Sequence, residues 1–333
     1  MNLANVFKSD IFSFMSLTAA INILPPRATT VDGFATFAES GINTATVSIE
    51  EKDGKIGIVK SQPRGYIGRG QSNKKRRIRK FDVPHYPEFD AIMASEVQSV
   101  RQFGSDNAME SVESRLAEKR SDLVDLLNTT IDAGKWGAVQ GVLYDADGSI
   151  LYDWFDEFGV DRNEFTIDLS DAGLDLRDAV IKMKRAAEKE LGGYTFSKFT
   201  LALPAPVFDK FVAHPWNKDA YDRWLDGAQR RDDLRPGFPM ADNVEVKSVD
   251  ITDLGNGLKT IPDDEGFLIP NANGLLKVNY SPADTLEAAN TIGLPYYMGS
   301  ELMPFGKGVD LIAETNFLAY AEKPRAIVRV VFI

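Results

Sequence analysis

The chain has 333 residues, 44% of them hydrophobic, and no cysteine, so disulfides, thiolate metal sites and cysteine nucleophiles are excluded. Its length suits one large domain or two ordinary ones, with enough apolar residues to fill a core. The formal net charge is −11, yet Gly54 to Phe81 holds ten Lys/Arg and no Asp or Glu, which leaves 28 basic against 49 acidic residues elsewhere.

No stretch is long enough to cross a bilayer. Residues 11–24 have the apolar content of a short signal core, but Asp10 precedes them and only Lys8 adds upstream side-chain charge. Leu3, Val6, Phe7, Ile11, Phe14, Leu17 and Ile21 recur at helical spacing instead. They predict a packed amphipathic helix that ends before Pro25-Pro26. Residues 27–42 read as a connector with two aromatics, Phe34 and Phe37, and turn glycines at 33 and 41.

The stretch 43–84 reads as a projecting β-hairpin. It alternates through Val47 and Ile49, turns at Asp53-Gly54, and alternates again through Ile56 and Ile58. A glycine-rich tip follows from Pro63 to Gly70, carrying Arg64 and Arg69. The return runs through Lys74, Lys75, Arg76, Arg77, Arg79 and Lys80. A strand of ten residues reaches ~33 Å, beyond a body whose radius of gyration is ~20 Å. Such a basic arm suits nucleic acid. It equally suits an acidic surface on a neighbouring copy of the chain. The acidic remainder and the scarcity of stacking aromatics (Tyr66 and Phe81 alone) favour the neighbouring copy.

Beyond the arm, the prolines of Val83-Pro84-His85-Tyr86-Pro87 enforce an extended linker. A short helical stretch follows around Ile92 to Val100, broken at Phe103-Gly104. The longest helix spans about Asn107 to Ala133, with Asp106 as N-cap and Gly134 as its left-handed end. Its stripe of Met109, Val112, Leu116, Leu123, Leu127 and Ile131 predicts a rod laid across a sheet. Val139–Tyr144 and Ile150–Phe155 flank Asp147-Gly148 as a hairpin, and Asp175 to Leu191 is a second amphipathic helix closed by Gly192-Gly193. Strands at 199–203, 244–249, 266–269, 275–280, 309–313 and 326–333 are interrupted by a helix opened by Pro206, a helix at about 217–231, and a partly apolar surface loop at 294–308. The class is α+β.

Catalytic signatures are sparse. His85 and His214 read as structural, and no Gly-x-Ser-x-Gly elbow is present. Gly255-Asn256-Gly257-Leu258-Lys259-Thr260 has leucine where a phosphate loop requires glycine. No cofactor, metal site or enzymatic activity is expected.

A series of short motifs then points to one family. In order they are Phe14-Met15-Ser16-Leu17-Thr18-Ala19-Ala20-Ile21-Asn22, Phe37-Ala38-Glu39-Ser40-Gly41-Ile42, Thr46-Val47-Ser48-Ile49-Glu50, Pro63-Arg64-Gly65, Phe81 to Pro87 and Val100 to Gly104. With Trp136-Gly137, Lys277 to Tyr280 and Glu322 to Arg325, the chain resembles the lambda-type major capsid protein E family of tailed bacteriophages. That resemblance implies the Hong Kong 97-type capsid fold. It would place an N-terminal arm at 1–42, an extended loop at 43–84, and a peripheral domain at 85–165 with a spine helix at 107–133. An axial domain would cover 166–305, and C-terminal strands at 306–333 would return to the peripheral domain.

The implied function is self-assembly into hexamers and pentamers of an icosahedral virion head around double-stranded DNA, after assembly in the host cytoplasm. Scaffolding, portal and decoration proteins are the implied further partners, with no membrane. On this reading Arg64, Arg69, Lys74, Lys75, Arg76, Arg77, Arg79 and Lys80 contact neighbouring subunits. A protein nanocompartment of the same fold is the alternative, and a nucleic-acid-binding module using the basic loop is another.

Overall fold

The computed structural model describes residues 13–23, 29–52, 76–97, 112–218, 237–241, 243–250, 253–255 and 258–333. The expected turn at Asp53-Gly54, the glycine tip, the first turn of the long helix and most of the helix expected at 217–231 lie outside these residues.

One strand organises the larger core. Gly308–Ala321 is antiparallel to His85–Met93 and to Tyr297–Leu302 along its first part. Its last five residues pair with Leu276–Tyr280, which in turn pairs in parallel with Phe37–Gly41. The helix Val112–Gln140 lies across this five-stranded sheet. Leu116, Leu123, Leu127 and Ile131 of the expected stripe are buried with Ile92, Leu311, Ala313 and Phe317.

A second, six-stranded sheet runs in the order 164–167, 328–332, 265–272, 196–204, 244–249, 238–241. Its two central strands are buried on both faces. Phe199, Leu201, Leu203 and Leu268 meet the helices Leu176–Leu191 and Ala205–Ala213, while Ala202, Phe267 and Ile269 join the first core. Alternation along a strand produces this division, since neighbouring residues point to opposite faces. The first helix begins as its sequence predicts, with the Asp175 carboxylate accepting from the Asp178 amide at 3.0 Å.

Several expectations are corrected. Gly134 does not end the long helix, which runs on to Gln140 and stops at Gly141 with φ +79°. The reason is steric: a Cβ at Gly134 would lie 2.3 Å from the Phe317 ring, so glycine there permits close helix–sheet contact. Val139 is consequently helical, and the hairpin shortens to Val142–Tyr144 and Ile150–Asp153. His85 is not in a linker but opens a nine-residue strand, and Ile92 lies in that strand, with the expected short helix starting at Ala94. Pro87 is tolerated because, among the described residues, this strand pairs on one side only.

The surface loop expected at 294–308 contains the strand Tyr297–Leu302, with Tyr296, Tyr297 and Met298 buried. Its free edge is covered by the helix Phe14–Ile23. Thr18 Oγ1 accepts from the Met298 amide at 3.2 Å, and Asn22 Nδ2 donates to the Tyr296 carbonyl at 2.8 Å. Side chains thus stand in for a missing strand. The C-terminal strands separate: Gly308–Ala321 packs under the long helix, whereas Val328–Phe332 joins the six-stranded sheet instead of returning to the first.

Candidate assembly interface

The basic arm leaves the body through Thr46–Lys52 and Arg76–Asp82. Their antiparallel register sets Val47 opposite Phe81, Ile49 opposite Arg79, Glu51 opposite Arg77 and Lys52 opposite Arg76. Directly opposed residues share a face. Val47, Ile49 and Phe81 are buried on one side, while Ser48, Ile78 and Lys80 are exposed on the other.

The buried side sits in an aromatic socket from the acidic segment that follows the long helix. The Phe81 ring meets Trp154 at 5.3 Å, Tyr152 at 5.7 Å and Phe158 at 6.1 Å, each edge-on. Tyr152 and Trp154 stack at 5.3 Å, and Leu318 and Tyr320 close the floor. Each such aromatic pair contributes ~0.5–1.5 kcal/mol beyond the area it buries. Polar contacts fix the geometry. The Tyr152 hydroxyl donates to the Asp82 carbonyl at 2.9 Å, and Arg79 Nη2 donates to the Phe158 carbonyl at 3.3 Å. Burial and the Asp82 carboxylate push the Tyr152 phenol above its ordinary value, so it remains a donor. The socket helix Trp154–Phe158 is held by Asp153, which accepts from the Phe155 amide at 2.9 Å, and by Gly159 at φ +64°.

The socket's surroundings are acidic. From Asp145 to Glu164 there are seven carboxylates and one base, Arg162, whose guanidinium lies 4.5 Å over Phe155. The arm and the platform at its root therefore carry opposite charge.

A second attachment holds the segment before the arm. Asp132, on the long helix, accepts from the Thr30 amide at 3.1 Å, the Thr30 hydroxyl at 2.6 Å and the Val31 amide at 3.2 Å. Trp136 Nε1 donates to the same hydroxyl at 2.7 Å. Lys135, only 4% exposed, lies 2.8 Å from Glu39 and 3.4 Å from Asp32. Burial pushes the Asp132 carboxyl up, against these hydrogen bonds and the nearby lysine.

Of the expected contact residues, Arg64, Arg69, Lys74 and Lys75 lie outside the described residues. Arg76 and Arg77 begin the returning strand, and Lys80 is exposed. Arg79 engages its own chain, its guanidinium donating to the Phe158 carbonyl and lying over the Phe158 ring. His214 is buried, facing the Asp171 carbonyl at 3.0 Å through Nε2 and accepting from the Trp216 amide at Nδ1. The socket went unread in the sequence, although the density of aromatics in Tyr152-Asp153-Trp154-Phe155-Asp156-Glu157-Phe158 was a signal for it. Also unread were the exposed apolar side chains of Phe305 and Leu286, both 97% exposed. Phe305 holds φ +65°, a conformation that costs a bulky residue ~1–3 kcal/mol.

The arrangement matches known proteins along its whole length. The family model described as phage major capsid protein E matches residues 13–332. The major capsid protein of Pseudomonas phage KPP10 is 23% identical over 339 residues, which span 96% of each chain. The crystal structure of a putative capsid protein from a prophage of E. coli CFT073 superposes with a TM-score of 0.55 at 12% identity, covering 96% of this chain and 99% of that one. The capsid of Myoviridae phage XM1 gives 0.51 at 11% identity, with 92% of each chain covered. The shared α+β fold is of the Hong Kong 97 type.

Proposed function

The chain belongs to the phage major capsid protein E family, and on that premise we propose how its parts divide the work of a shell. It is a major capsid protein, a structural component of a tailed-phage virion. Copies form hexamers and pentamers that close an icosahedral head around double-stranded DNA. The long helix with its five-stranded sheet forms the peripheral body. The six-stranded sheet with helices Leu176–Leu191 and Ala205–Ala213 forms the axial body, whose loops meet at capsomer centres. Scaffolding, portal and decoration proteins complete the assembly.

The observation that carries the interface reading is the arm's construction. Its root is locked into an aromatic socket, and on this reading Arg64, Arg69, Lys74, Lys75, Arg76, Arg77 and Lys80 are the groups that would meet acidic surface on adjoining copies. Obligate interfaces of this kind bury thousands of Å², and a rigid root lets the arm hold its direction without ordering cost on assembly. Charge reversal at two positions tests this. Arg76→Glu with Arg77→Glu lowers particle yield at least tenfold while dispersed subunits keep wild-type far-ultraviolet circular dichroism. Wild-type yield from the double variant overturns the interface role. Tight, steeply salt-dependent binding of DNA by dispersed wild-type subunits in a filter assay would assign the arm to nucleic acid instead.

A further inference from the structure

The sheet built on Gly308–Ala321 has one face under the long helix and another that is half open. Val309, Leu311 and Ala313 belong to the core beneath that helix. Gly308, Asp310 and Ile312 point the other way, since neighbouring residues along a strand alternate. The register sets Asp310 opposite both Glu301 and Ala91, and Ile312 opposite both Gly299 and Phe89, with Met93 opposite Gly308. Phe14 covers this face at Gly299, and Ala283, Ala288 and Tyr297 pack beyond it. The other half is open: Phe89 is 72% exposed, Met93 is 38% exposed, and Glu301 and Asp310 both reach solvent.

Two properties of this open half are costly in a lone chain. Glu301 and Asp310 stand directly opposite each other, where like charges repel, and among the described residues neither has a basic partner. Phe89 and Met93 keep apolar area in water beside that acid pair. A partner that brings cations and apolar side chains together relieves both. The chain carries such a segment at the tip of its arm, where Tyr66 and Ile67 lie between Arg64 and Arg69, with no acid from Gly54 to Phe81. Residues 53–75 separate the two strands of the stem and centre on Arg64. Extended, half of such a segment spans ~35 Å, a length that reaches an adjoining copy.

We propose that the open half of this sheet face is the seat for the arm tip of an adjoining copy. Tyr66 and Ile67 pack on Phe89 and Met93, while Arg64 and Arg69 pair with Glu301 and Asp310. This rests on the arm's role as a contact between copies and names the surface that receives it. Both sides hold two apolar side chains beside two like charges, and the charges are of opposite sign. Arginine and tyrosine commonly anchor interfaces, and a guanidinium forks onto a carboxylate with two parallel hydrogen bonds. The contact is heterologous: the tip of each copy meets the face of the next, so it runs around a ring and closes with it.

The chain has no cysteine, so one engineered pair reports the contact without background. Ile67→Cys with Phe89→Cys, assembled into particles and then oxidised, gives a ladder of covalent dimers and higher chains on a non-reducing gel. Dispersed subunits of that variant stay monomeric, as do particles of Phe89→Cys alone. Charge reversal reads the polar half. Glu301→Lys with Asp310→Lys lowers particle yield about tenfold or more, and adding Arg64→Glu with Arg69→Glu recovers most of it. Oxidised particles of the cysteine pair that run as monomers overturn the proposal. So does a ladder from Ile67→Cys with Ile150→Cys, because Ile150 marks the acidic platform at the arm's root. Should the cysteine pair fail to assemble, the charge reversal decides alone, and wild-type yield from Glu301→Lys with Asp310→Lys overturns the proposal. Loss of yield from Arg76→Glu with Arg77→Glu but no ladder removes only this seat. Wild-type yield there removes the arm's role as well.

Discussion

Gly134→Ala separates local helix preference from tertiary packing, because the two demand opposite signs. In an exposed helix interior the change gains ~1 kcal/mol. Here the new Cβ would stand 2.3 Å from Phe317 Cε2 and 2.7 Å from Cζ. Phe317 is fully buried and stacks on Tyr86 at 5.1 Å, so its ring has nowhere to swing. Relieving such overlap by shifting helix and sheet apart costs ~1–3 kcal/mol, and the net expectation is a loss of up to ~2 kcal/mol. Urea denaturation of dispersed subunits measures it, with the buried indole of Trp136 as the reporter two residues away. Phe317→Leu vacates part of the space, so a double-mutant cycle returns a favourable coupling of ~0.5 kcal/mol or more. Gly134→Ala more stable than wild type, or no coupling to Phe317, would refute the reasoning.

Two further substitutions probe the attachments. Phe81→Ala empties the socket at the arm's root, a loss of ~3–5 kcal/mol in local packing; exchange in 46–52 and 76–82 accelerates and particle yield falls, with the six-stranded sheet unaffected. Asp132→Ala leaves the Thr30 and Val31 amides without their acceptor and costs ~1–3 kcal/mol, read as a lowered urea midpoint together with faster proteolysis between residues 24 and 36. Asp132→Asn, which retains an acceptor oxygen, recovers most of that loss.

The charge asymmetry, the strand alternation through Val47 and Ile49, the amphipathic helix closed by Gly192 and most strands were legible because each depends on a short-range rule. Alternation, capping and turn chemistry act over fewer than ten residues. Errors fell where a distant segment changed the local outcome. Gly134 has the look of a helix end until Phe317, far along the chain, occupies the space its Cβ would take. Tyr297–Leu302 contains a glycine and two polar residues and follows a proline, and it is a buried strand because Thr18 and Asn22 complete its edge. His85 is a strand residue because Asn316 lies opposite it.

The interface divides the same way. A cluster of ten cations without a carboxylate is a property of composition, and with the acidic remainder it suffices to expect an arm directed at other copies. Which of those cations are spent at home is a property of packing: Arg79 faces the socket, whereas its neighbour Lys80 is exposed on the opposite side. The sequence by itself determined most of the element types, the opposed charges and, through its ordered motifs, the family. The tertiary structure alone decided how far the long helix runs, which sheet receives the last strand and how exposed Phe89 comes to share a face with Glu301 and Asp310. Those outcomes depend on pairs separated by up to hundreds of residues, and no local pattern encodes the volume or charge that a remote partner presents.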